Sequence, residues 1–339
     1  MPDDARRPGI SVLVTGAGGP AAIAVIKSLR ADPSVRLIAA DMDCWAAGLY
    51  LVPAADRVLV PAGAAPGFAR DLLARCAELR ADVVIPTVDA ELLPLAAARP
   101  AFARAGVALM LPPERALSLT LDKLALARAC AGAVRVPRTE PLDERLDPGS
   151  WTYPVIVKPR TGSGSRDITA IVSADEMKAA LTTAPIETGP SAGYLVQEFL
   201  PGEEYSIDVL ADADGRVVAG VPRVRARVDS GVSVAGRTLH DPELERIGAT
   251  VATAVGITFI ANVQVRRDHD GCPALLEVNP RPPGSLSLTV ASGVDMPRLA
   301  LDAMRGCPLP VHAEFCEKAM VRFLDERFLD LSEITGVAA

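Results

Sequence analysis

From Ile10 to about Leu111, short β-branched runs alternate with longer amphipathic stretches. Strands are expected near Ile10 to Thr15, Arg36 to Ala40, Arg57 to Val60, Asp82 to Pro86 and Val107 to Leu111, with helices over Ala21 to Arg30, Phe68 to Leu79 and Glu91 to Arg104. That rhythm is βαβ and predicts an open parallel sheet with helices on both faces. After Pro112 and Pro113 a helical run, Asp122 to Ala131, leads into the Pro-rich piece Val136 to Ser150. A small α+β module follows: strands at Tyr153 to Lys158 and Ile168 to Val172 around a Gly/Ser turn, then a helix from Ala174 to Leu181. Strands at Tyr194 to Leu200, Tyr205 to Leu210, Val217 to Val221, Ile260 to Arg266 and Ala274 to Val278, with helices at Pro242 to Val255 and Met296 to Met304, make a last α+β unit. The expected organisation is three units, 1–116, 117–197 and 198–339, within the size of ordinary domains.

Composition narrows the partners. The 339 residues carry a net charge of -7, and the pI is near 5.2, against the clustered positive charge that nucleic acid or anionic lipid requires. Six cysteines without a C-x-x-C pair and three scattered histidines give no zinc spacing. No apolar run approaches a membrane span and no leader pattern opens the chain, so a cytoplasmic protein acting on small molecules is expected.

The densest chemistry lies between Gln264 and Arg281. If strands there form a hairpin around Asp268 to Gly271, Gln264 and Glu277 lie side by side, and Glu277 and Asn279, two apart, share a face. Three oxygen-bearing side chains would converge as a hard cation such as Mg²⁺ requires, although the spacing alone equally suits a polar surface hairpin. Lys158 ends a strand before Thr161-Gly162-Ser163-Gly164-Ser165, where glycines let backbone N–H groups approach phosphate, or simply form a turn. Arg223, Arg225 and Arg227 alternate along one segment, as a carboxylate or acyl-phosphate collector or as a solvated face.

These motifs, in this order, resemble the ATP-grasp family, especially single-unit relatives of the carbamoyl-phosphate synthetase large subunit. Leu276-Glu-Val-Asn-Pro-Arg281, with Gln264 thirteen residues before the Glu, resembles the family's metal signature. The resemblance implies an ATP-grasp fold of α/β and α+β parts: an N-terminal Rossmann-like parallel sheet, a lid module and a C-terminal α+β domain. It implies that Gln264, Glu277 and Asn279 hold two Mg²⁺ ions (Mn²⁺ being an acceptable substitute) against ATP, that Arg281 steadies the γ-phosphoryl group, and that Lys123 and Lys158 contact the nucleotide phosphates under a lid of Gly162, Ser163, Gly164 and Ser165. Only five of the 35 basic residues are lysines, and two occupy these positions. The hinge Gln197, Glu198, Phe199 and Leu200 is expected to hold the adenine, Glu204 the ribose, and Arg225 the acceptor substrate. Ser285 and Ser287 are placed near the same pocket.

The implied reaction is a carboxylate–amine ligation through an acyl phosphate, with amino acids among the candidate substrates and a homodimer left open. Carboxyphosphate chemistry and a turnover-silent nucleotide sensor are the alternatives. Thr15-Gly-Ala-Gly-Gly-Pro-Ala21, with Asp41 closing the next strand, imitates a dinucleotide fingerprint, but the resemblance implies that this domain shapes the substrate side of the cleft instead. Asp89 and Glu91, at another strand end, are further substrate-binding candidates. Abundant Ala, Arg and Pro with scarce Lys suggest a GC-rich genome and secondary metabolism.

Overall fold

A computed structural model describes residues 9–162, 167–183 and 193–336. Its first part runs β1 (Ile10–Val14), α1 (Pro20–Leu29), β2 (Val35–Asp41), β3 (Arg57–Leu59), α2 (Phe68–Leu79), β4 (Val83–Ile85), α3 (Asp89–Arg104) and β5 (Ala108–Leu109). The strands form a parallel sheet in the order β3-β2-β1-β4-β5. Alternation decides the layers: Val12 and Val14 join the core under α1, whereas Leu13 joins that under α2 and α3. Both faces are thus covered, as a parallel sheet requires.

Helices α4 (Glu114–Thr120) and α5 (Lys123–Cys130) lead to a four-stranded antiparallel sheet. It comprises β6 (Thr139–Pro141), β7 (Val155–Pro159), β8 (Thr169–Ile171) and β9 (Tyr194–Glu198), in the order β6-β9-β7-β8, with α6 (Ala174–Thr183) on one side. Trp151, Val155, Met177 and Val196 form its own small core.

The third sheet holds β10 (Glu204–Ala211), β11 (Val217–Asp229), β12 (Val232–Thr238), β13 (Phe259–Arg267), β14 (Pro273–Asn279) and β15 (Ala319–Val321). Their order is β14-β13-β10-β11-β12-β15, with α7 (Pro242–Val255), α8 (Leu286–Ala291) and α9 (Met296–Met304) packed around it. Tyr205, Ile207, Val209, Ala261, Val263 and Val265 pack with Leu244, Ile247 and Val251 of α7. The intervening positions, Ser206, Asp208, Asn262 and Gln264, therefore face the opposite way.

Two expectations needed adjustment. The arginine segment is strand throughout, because β11 continues to Asp229 by pairing with β12. Its charged residues break the apolar alternation that marks strands in sequence. Ser287, expected beside the pocket with Ser285, instead falls within a helix that the sequence pattern does not mark, α8, which begins at Leu286. No helix among the described residues is long and apolar enough to cross a membrane.

Candidate functional site

The hairpin forms with Asp268 accepting Gly271 N–H at 3.1 Å and its N–H donating to Cys272 O at 2.9 Å. Gln264 registers with Glu277 and Asn262 with Asn279, while Val265 pairs with Leu275. Leu276 is thus an extra residue in β14. This bulge lets Leu275 and Val278 both enter the core while Glu277 and Asn279 share the opposite face. Asn279 Nδ2 donates to Glu277 Oε1 at 3.3 Å, and Gln264 Nε2 to Asn262 Oδ1 at 3.3 Å. Gln264 Oε1 accepts from Arg225 at 3.1 Å, so this oxygen stands between a guanidinium and the Glu277 side of the hairpin.

Beneath these residues, Asp208 is fully buried and takes both arms of Arg223, at 2.9 and 2.6 Å. Asn262 Nδ2 donates to the same carboxylate at 2.8 Å, and Thr289 Oγ1 also donates to it. Neither Asp208 nor Asn262 was singled out in the sequence, where one lies in an ordinary strand run and the other two positions before Gln264. Their signal is the polar side of the strand alternation.

Lys158 is 6% exposed and donates to Gln197 Oε1 at 2.7 Å, and Gln197 Nε2 in turn donates to Thr139 Oγ1 at 2.9 Å. Burial pushes the Lys158 ammonium down to about 8, with Lys123 adding repulsion and the Glu277 and Glu204 carboxylates opposing the drop. Lys123 opens α5, whose N-cap Asp122 accepts Leu124 and Ala125 N–H and grips Arg160 with both oxygens. Its Nζ donates to Gly162 O at 2.7 Å, where Gly162 has a φ of 97°. Burial lowers Lys123 as well, and the Glu277 charge is the largest opposing influence. One carboxylate thus acts on both lysines. Ser163, Gly164 and Ser165 lie outside the described residues.

The other expected side chains have partners within the chain. The Glu198 carboxylate accepts Arg135 at 2.6 Å and Arg138 N–H at 3.0 Å, which commits it to bracing the start of β6. Gln197 points instead to Lys158, and Phe199 with buried Leu200 continues the chain toward β10. Glu204 and Arg225, expected at opposite ends of the reaction, form an ion pair, because β10 and β11 are neighbours in register. Arg281 is bound by Asp89 at 2.6 and 2.8 Å, linking the metal hairpin to the start of α3 in the parallel sheet domain. Ser285 is buried and donates to Ser233 O at 3.2 Å, whereas Ser287 is exposed beside Met320 Sδ at 3.6 Å.

A cavity of about 780 Å³ separates the parallel sheet from the hairpin. Gly18, Asp41, Trp45, Asp89 and Glu91 line one side, and Arg223, Arg225, Asn262, Gln264, Glu277, Asn279, Arg281 and Ser285 the other. The glycine loop spends its N–H groups internally: Ala17 donates to Ala40 O, Gly18 to Asp41 Oδ2 and Gly19 to Gly16 O. A carboxylate seated on this loop also repels a pyrophosphate, which weakens the dinucleotide reading. Burial pushes Glu91 up to about 7, with Thr15 donating to it and so opposing the rise.

Residues 191–326 match the family model described as ATP-grasp in the biosynthetic pathway with Ter operon, and residues 12–110 the one described as PylC-like, N-terminal domain. Among solved structures, biotin carboxylase from Campylobacter jejuni in its β-γ-ATP complex is similar, with a TM-score of 0.72 at 16% identity over 88% of this chain and 72% of that one. The biotin carboxylase domain of Hydrogenobacter thermophilus 2-oxoglutarate carboxylase, in complex with MgADP, ADP and bicarbonate, gives 0.71 at 17% identity over 90% and 71%. L-amino acid ligase from Bacillus licheniformis gives 0.66 at 17% over 88% and 75%.

Proposed function

We propose that this chain, which belongs to the ATP-grasp proteins, is an ATP-dependent ligase that joins an organic carboxylate to an amine through an acyl phosphate, releasing ADP and phosphate. The observation that carries the proposal is the pairing of Gln264 with Glu277 beside Asn279, with the Glu277 charge acting on both buried lysines.

The donor set suits Mg²⁺: one carboxylate and two amide side chains leave room for water and phosphate oxygens, as this ion prefers. Gln264, Glu277 and Asn279 would hold it, and when bound it neutralises triphosphate charge. Lys158 and Lys123 add positive charge beside the phosphates from the lid side. Arg281, held by Asp89 through Nε and Nη2 and by Pro282 O through Nη1 at 3.2 Å, brings its positive charge to the transferred group. In the first step a carboxylate oxygen bonds to the γ-phosphorus as the bond to ADP breaks. In the second the amine nitrogen bonds to the acyl carbon as phosphate leaves and the nitrogen loses a proton. The cavity runs past the metal hairpin to Gly18, Asp41, Trp45 and Glu91, and this room beside the phosphates supports an organic acid over bicarbonate as the carboxylate.

The test is ADP release from ATP and Mg²⁺ in a screen of carboxylic acids crossed with amines, with product mass as confirmation. ADP release that needs both partners, and a product heavier than each, is expected. Binding of ATP without turnover under every pairing would leave only a sensor.

Two further outcomes follow from the site. Lys158 is about half neutral near pH 8 before nucleotide binds, and phosphate favours its charged form. Binding near pH 8 should therefore take up about half a proton at this site, and affinity should fall as pH rises further. Titration calorimetry in buffers of different ionisation enthalpy reads the uptake, which should vanish in Lys158→Gln. Buffer-independent heats in the wild type would remove Lys158 from the phosphates. Asp89→Asn should lower turnover about tenfold, through lost alignment of Arg281, and change ATP affinity less than about twofold. Equal losses in both would mean that the pair only holds the domains together.

A further inference from the structure

We infer that two copies of this chain associate through the exposed segment that follows β15, pairing it with itself about a two-fold axis near Glu326. β15 is the outermost strand of its sheet, joined to β12 through Ala235↔Val321 and its neighbours. Beyond it the chain leaves the sheet and returns to the parallel domain, where Ile334 is buried and Arg57 donates to Glu333 O at 3.0 Å. Both ends of this strap are therefore anchored. Between them Val321 is 72% exposed, Phe323 84%, Leu324 95%, Phe328 92% and Leu331 72%. Scattered apolar residues on a surface need no explanation, but five large ones in eleven residues of chain do.

The backbone points the same way. Among the described residues, no backbone N–H from Phe323 to Leu329 donates a hydrogen bond within the chain, so the strap offers a free edge beside apolar side chains. An isolated chain leaves such an edge to water, and a second extended segment can pair with it.

Charge identifies the second segment. The strap reads Leu324-Asp325-Glu326-Arg327-Phe328. Antiparallel pairing centred on Glu326 sets Asp325 of one copy opposite Arg327 of the other, twice by symmetry, and Leu324 opposite Phe328, also twice. Asp325, Glu326 and Arg327 are exposed and enter no ion pair among the described residues. The sequence is thus complementary to itself, in both charge and apolar character. In such a pair Leu324 and Phe328 project from one side and Phe323 from the other, so each copy covers only part of this apolar surface, less than the ~800 Å² per partner of a standard interface, and association is expected to be weak and concentration-dependent.

The interface would lie next to the proposed active site. Arg322 donates to Gly284 O, in the loop that lines the cavity, and Met320 meets Ser287 at 3.6 Å. Pairing would therefore brace the strap that backs this loop.

Sedimentation velocity on the full chain across a concentration series tests the inference. A monomer–dimer equilibrium is expected, with Arg327→Asp weakening it at least about tenfold and Asp325→Arg combined with Arg327→Asp restoring it. Glu326→Gln, which removes a like-charge contact on the axis, should tighten it. Phe328→Asp should give a monomer whose melting curve and ATP binding match the wild type, since this ring is solvent-exposed. A wild-type chain that is monomeric at every concentration, a dimer unmoved by Phe328→Asp, or a charge swap that fails to restore association would overturn the inference.

Discussion

Glu277→Gln should lower ADP formation at least about 100-fold while leaving the protein folded. The change keeps the shape of the side chain and removes its charge, and Glu277 is only partly buried on a strand whose neighbours Leu275 and Val278 hold the core. The loss should exceed what one metal contact explains. Glu277 is the largest charge opposing the depression of both Lys158 and Lys123, so its neutral form also makes both lysines harder to protonate. Nucleotide binding should consequently lose much of its Mg²⁺ dependence, and Lys158 should titrate lower than in the wild type. Calorimetry with and without chelator, across pH, reads both effects. Wild-type turnover in Glu277→Gln would remove the metal assignment. Lost turnover with unchanged Mg²⁺ dependence would place Glu277 elsewhere in the chemistry.

The features of this region that sequence carries are those set by local periodicity. Gln264, Glu277 and Asn279 could be paired in advance because strand alternation and a short polar turn fix which residues can meet. The parallel sheet was equally readable, since Val12, Val14 and Leu13 advertise two buried faces by their apolar run. What could not be read is which distant charge each side chain would meet. Arg281 is bound by Asp89, 192 positions away, and Glu198 is spent on Arg135 and Arg138. Glu204 and Arg225 looked separable because 21 residues divide them, yet the β10–β11 register makes them partners. The bulge at Leu276 is likewise invisible until the two strands are paired. Partner choice depends on sheet order and register, which local patterns constrain only weakly.

The largest effect on stability should come from Asp208, a residue with no expected role in the chemistry. Asp208→Ala should destabilise the protein by about 3–5 kcal/mol, because it leaves the Arg223 guanidinium, 2% exposed, without its carboxylate inside the fold. Asn262 and Thr289 lose an acceptor at the same time. A drop in melting temperature on the order of 10 °C is expected for a chain of this size. Replacing both partners with apolar residues, Asp208→Leu with Arg223→Met, should recover much of the loss, since no buried charge then remains. That double variant separates stability from function. Asn262 lies between the buried carboxylate and Gln264, so its side chain loses the contact that fixes it, and Gln264 with it. The repaired protein should melt near the wild type and still bind Mg²⁺ and ATP more weakly. If stability and nucleotide binding return together, the buried pair only supports the sheet. If the single variant melts as the wild type does, Arg223 has found another partner and the network beneath the hairpin is not what holds it.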